Sequence, residues 1–157
     1  MQSLVKALNR AVRSGAYASI ASTLVLMQRG VRDCRSAIAP VNAVSHWLWK
    51  NKAIYRQDAT VRYSLTGYLI HHAASVFWAF FYELWAVRAD KPVTVADSAK
   101  RGAVVASVAC AVDLRCTPKR LTPGFERRLG NKSLFLVYTA FGLGLVAHTL
   151  LHKKRRR

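Results

Sequence analysis

Two adjacent histidines, His71 and His72, stand near the middle of Tyr63 to Tyr82, a run of 20 residues without a charged side chain. An imidazole titrates at about 6.5, so it can hydrogen-bond as a neutral ring, move a proton or hold a metal near neutral pH. Successive helical residues point about 100° apart, so this pair can hardly chelate one ion without ligands from other segments. Helical spacing places Ser64, Gly67, His71, Ser75, Trp78 and Tyr82 on one stripe. Tyr68, His72, Ser75, Ala79 and Glu83 form the adjoining seam. Imidazoles and hydroxyls facing acyl chains would be unsatisfied, so such a stripe must face other helices. Hydrogen bonding between helices is the expected role of the histidines, ahead of proton handling and metal binding.

Two further acids and two further histidines belong with them. In an alternating bundle, Asp113 falls at the same end as the loop carrying His46 and the start of the central span. Glu83 falls at the end of His148 and His152. The candidate polar cluster is His46, His71, His72, Ser75, Glu83, Asp113 and His148, with ion pairs expected from Asp113 to Arg115 and from Glu83 to Arg88. There is no Ser/His/Asp order, H-E-x-x-H or glycine-rich phosphate loop. Cys34, Cys110 and Cys116 lack zinc-site spacing, and their odd number excludes a complete disulfide framework. The expectation is a protein that is not an enzyme, has no catalytic residue or metal ligand and needs no cofactor.

The elements that must position these residues follow from charge segregation. The chain of 157 residues is 52% apolar, yet carries a formal net charge of +18. Lys and Arg are absent from Tyr63 to Tyr82 and from Ser133 to His152 and crowd the segments around them. A bilayer imposes that pattern, because cations are costly at mid-membrane and attracted at the headgroups. Nucleic-acid binding, the other common reason for such basicity, would require a small soluble chain to bury two uncharged 20-residue runs. It is the third-ranked reading.

Four spans are expected, at about 14–31, 62–86, 97–115 and 132–152, within a single all-α membrane domain. The first and third are short, needing snorkelling arginines at their ends. Gly15, Ser19 and Ser22 form a small-residue seam in the first span, and Gly102, Ala106, Ala109 and Asp113 share a face of the third. Residues 38–50, with Pro40, Trp47 and Trp49, read as an amphipathic segment lying on the membrane surface. Thr122 reads as an N-cap before Pro123, opening a turn through Phe125 and Leu129. The acid-free first 32 residues read as a basic flank, with a mitochondrial targeting helix as the alternative. The two sides of the membrane receive twelve and thirteen Lys/Arg; the terminal run Lys153 to Arg157 favours cytoplasmic termini.

At SHWLW, RYSLTGYLIHHAASVFWAFFYELW and LTPGFERRL the chain resembles a group of small bacterial inner-membrane proteins with short basic loops and no assigned activity. The resemblance covers roughly residues 15 to 150. It implies a bacterial inner-membrane location and, if the group shares the histidines, marks His46, His71 and His72. The function expected first is a structural or partner-binding membrane component. A proton- or metal-linked transporter subunit is the alternative, with lipid, other membrane proteins or a second copy as partners and no nucleic acid.

Overall fold

The computed structural model describes residues 2–89 and 94–154, with side chains as far as residue 151. Asp90, Pro92 and the last three arginines lie outside the described residues, as does the side chain of His152. The described chain is all-α, without a strand. Four long helices carry it: α1 (Gln2–Cys34), α5 (Thr66–Val87), α6 (Val95–Ala111) and α7 (Asn131–Lys154). Three short helices, α2 (Ala39–Val44), α3 (His46–Trp49) and α4 (Asn51–Ile54), fill the first connection.

The N-terminal flank and the first span are one helix. No proline interrupts α1 over its 33 residues, about 50 Å of helix. It ends where Arg35 turns left-handed at φ 57°. Along it, large apolar side chains at Leu4, Leu8, Val12, Ile20 and Leu24 face outward, whereas Ala7, Ala11, Ser14, Ala18 and Ser22 are buried. The apolar face of the basic start is therefore exposed, and its small residues make the packing surface.

Small residues set the helix contacts. Gly15 lies against Val76, so a Cβ there would come within 2.7 Å of the Val76 Cα. A Cβ on Gly144 would sit 2.5 Å from the Ala18 Cα, and one on Gly102 would sit 2.9 Å from the Gly142 carbonyl oxygen. Gly142 and Gly144 thus serve opposite faces of α7, one against α6 and one against α1. On the third span Gly102 meets both the Val146 side chain and the Gly142 backbone of α7. Close backbone approach of this kind is how helices associate where no hydrophobic force separates one apolar surface from another.

With Arg10 opposite Glu83, Gly15 opposite Val76 and Ser22 opposite His71, α1 and α5 run antiparallel. Arg29 opposite Ser133 and Ala18 opposite Gly144 make α1 antiparallel to α7. The result is an up-down-up-down bundle in which α1 packs closely on both α5 and α7, and α7 on α6. The α5–α6 seam is the loosest of the four.

Residues 38–50 are divided between core and surface, with Leu48 and Lys50 exposed. Every residue from Ala39 to His46 is buried. Alanines and the bare faces of Gly30, Gly67 and Gly124 leave room for α2 between α1, α5 and the 118–127 loop. Asn42 fastens it: its Nδ2 donates to the Arg56 and Asp58 carbonyls, and its Oδ1 accepts from the Ser64 hydroxyl at 2.7 Å. Thr122 is no N-cap either. Its hydroxyl donates to Glu126 Oε1 at 2.7 Å, while Gly124, at φ +89°, turns the chain into a single 3-10 turn, Phe125–Arg127. Phe125 and Leu129 both enter the core. Asp97 closes a capping box with Thr94 and starts α6 at Val95.

Among the described residues one helix, Asn131–Leu151, is long and apolar enough to cross a membrane, its most apolar 18-residue stretch having a mean hydropathy of 1.9 and being half buried.

Candidate functional site

The structure divides the predicted polar residues between two ends of the bundle. At one end Glu83, fully buried, faces α1 and α7. Its Oε2 lies 2.8 Å from Arg10 Nε and its Oε1 lies 3.4 Å from His148 Nδ1. Tyr17 packs on the His148 ring with centroids 6.1 Å apart, and the neighbouring Tyr82 hydroxyl is 3.1 Å from Thr149 Oγ1. Three helices are thereby joined around one buried carboxylate. The expected Arg88 partner is exposed at the helix end, so the ion pair runs between helices to Arg10. Arg10 carried no sequence signal beyond its position on the α1 face that also bears Ser14.

At the other end lies a cavity of about 520 Å³ between α5, α6, α7 and the 117–125 loop. His71, Ser75 and Asp113 all line it. His71 Nε2 is 2.8 Å from the Ser22 hydroxyl of α1, and its ring meets Phe125 edge-on at 6.3 Å. Ser75 donates to the His71 carbonyl at 2.8 Å. Asp113 falls in a wide π-turn, Val112–Cys116, that ends α6; such turns redirect side chains at functional positions. Its Oδ2 accepts from the Tyr138 hydroxyl at 3.0 Å, and Trp78 lines the same cavity. The expected Asp113–Arg115 pair is absent among the described residues, because the π-turn sends Asp113 inward and leaves Arg115 exposed. Nothing local in the sequence marks Tyr138 as its partner.

His46 and His72 stand apart from both groups. His46 Nδ1 is 2.9 Å from the Ala43 carbonyl, and Gly124 passes close over its ring. His72, one turn before Val76 on α5, packs on Tyr68 with ring centroids 6.0 Å apart. His46 Nε2 and His72 Nδ1 are buried without a hydrogen-bond partner among the described residues. Also among the described residues, no three His, Cys, Asp or Glu side chains converge as a metal site would require.

Beyond the ends of the bundle's low-charge zone, Asp33 ties α1 to the start of α7. Its Oδ2 accepts from the Gly130 N–H at 3.0 Å. The Ser133 hydroxyl first, then that N–H, hold the Asp33 carboxyl below its ordinary value, with Arg29 and Arg32 adding to the effect. Ser133 also accepts from Arg29 Nε at 2.9 Å.

No protein-family model matches the chain, and no curated protein or solved structure is significantly similar to it. The resemblance to bacterial inner-membrane proteins gains no support there, and the functional reading rests on the chain itself.

Proposed function

We propose that the protein is an integral membrane protein whose four long helices all cross the bilayer, and that it acts as a binding component and not as an enzyme. One observation carries this reading: each long helix turns large apolar side chains outward, and α1, α5 and α6 keep mainly small and polar ones inside. Ile20 and Leu24 on α1, Leu69 and Phe77 on α5, Val104 and Val108 on α6, and Leu136 and Leu143 on α7 are all exposed. A soluble bundle would bury such residues and cover its outside with charge.

The dimensions agree. Arg10 and Arg29 stand nineteen positions apart on α1, about 28 Å of helix, close to a hydrocarbon thickness of about 30 Å. Arg10 is neutralised by Glu83, and Arg29 reaches Ser133 at the opposite end. Mean hydropathy undervalues α5 because it counts His71, Ser75, Tyr82 and Glu83, whose polar groups have partners on α1, α7 or α5 itself. The bacterial inner membrane as its location follows from the resemblance alone and is part of the proposal.

Alkaline carbonate washing of membranes tests this reading. The protein is expected to stay in the pellet until detergent is added; its release by carbonate alone would overturn it. A transporter role draws on one observation, the shared placement of His71 and Asp113 on the cavity wall. Proton flux into vesicles above the empty-vesicle rate, lost in His71→Gln, would favour it over a binding role.

A further inference from the structure

We propose that the cavity between α5 and α6 binds a lipophilic monovalent organic cation, with Asp113 facing its charge and aromatic rings enclosing its apolar body. The wall carries six aromatic rings, Trp47, Phe77, Trp78, Phe125, Tyr138 and Phe141. Aromatic faces are electronegative and attract cations, most strongly where water is excluded. Although the chain has 25 Lys and Arg, none of those described lines the cavity, and Asp113 is its sole carboxylate among the described residues. An anion would find no counter-charge there, and a neutral ligand would leave the carboxylate unused. The Tyr138 hydroxyl holds the carboxyl through Oδ2, so its position is set before a ligand arrives. The volume lies within the range of about 300–1,000 Å³ common to small-molecule sites.

Access runs through the loose α5–α6 seam, where Ala73 and Phe77 are exposed at the mouth. The inference rests on the membrane reading in one respect only, that this mouth opens among acyl chains, where such cations concentrate. Binding in detergent does not depend on it, so failure here and failure of the carbonate test are separate results.

The test uses isothermal titration of the full chain in detergent micelles, with empty micelles as the blank, and two probes of nearly equal shape and opposite charge. Tetraphenylphosphonium is expected to bind saturably at one site, and tetraphenylborate is not. Asp113→Asn is expected to weaken the phosphonium at least tenfold. Ala73→Phe, which narrows the mouth from an exposed position, is expected to weaken it at least threefold. Equal behaviour of the two ions, no saturable phosphonium binding, or unchanged affinity in either variant would overturn the proposal. The comparison of the two ions needs no variant, so a failure of Asp113→Asn to fold leaves the test intact.

Discussion

Cutting the ion pair between Arg10 and Glu83 from its two sides should give unequal losses. The Glu83 side chain is 0% exposed and that of Arg10 is 36% exposed. Truncating Arg10 to Ala leaves a buried carboxylate facing only His148, and an uncompensated buried charge costs about 3–5 kcal/mol. Changing Glu83 to Gln leaves a guanidinium that already reaches the surface and can swing outward. The loss is then the attraction of one part-exposed ion pair, about 0.2–1 kcal/mol. Replacing both by apolar residues of similar size, Arg10→Met with Glu83→Leu, removes both desolvation costs and should be close to neutral. For a chain of this size the Arg10→Ala loss corresponds to a fall in Tm of roughly 6–20 °C. Intrinsic fluorescence during thermal unfolding in detergent reads the order, and a double-mutant cycle reads the coupling. The reasoning fails if Glu83→Gln is the more costly change, or if the double variant is less stable than Arg10→Ala.

Other positions give further expectations. Gly144→Ala puts a methyl 2.5 Å from the Ala18 Cα and should cost about 1–3 kcal/mol by overpacking. Gly130→Ala, where the nearest atom is Asp33 Oδ2 at 3.8 Å, should be neutral or stabilising by under about 1 kcal/mol; the two melting curves side by side decide. Asn42→Ala removes the bonds to the Arg56 and Asp58 carbonyls and to Ser64 and should lower stability by about 2–3 kcal/mol, with proteolysis in 50–60 as an independent readout. Asp33 has a depressed folded-state pKa, so the unfolded chain takes up its proton first on acidification. Its contribution is complete above the ordinary value of 3.8 and lost as pH falls through the lower folded value. Unfolding midpoints from pH 6 to pH 2 should therefore show a shallower acid limb in Asp33→Asn than in the unmodified protein.

The four helices were legible because charge and apolar side chains separate along the chain on the scale of a helix. Their boundaries were less so. The first 34 residues read as a flank and a span because Lys6, Arg10 and Arg13 look like interruptions; Arg10 instead turns inward to a carboxylate 73 positions away, which no local pattern reveals. The same blindness hid the partner of Asp113, since the π-turn that aims it at Tyr138 depends on packing against α7. The burial of residues 39–46 was hidden for a different reason. Tryptophans next to a proline suggest an interface, but the burial of α2 depends on Gly30, Gly67 and Gly124, three distant positions that each leave out a side chain. The small-residue seams, by contrast, were visible as spacing, and Ser22 on one of them meets His71.

The central claim, four helices in contact with lipid, is tested most directly by the depth of one outward residue on each. Cys34, Cys110 and Cys116 are replaced, and single cysteines at Ile20, Phe77, Val104 and Leu143 are spin-labelled in proteoliposomes. All four labels should collide readily with oxygen and rarely with a water-soluble nickel chelate. Ready collision with the chelate at any one of them would remove that helix from the bilayer and contradict the four-span account.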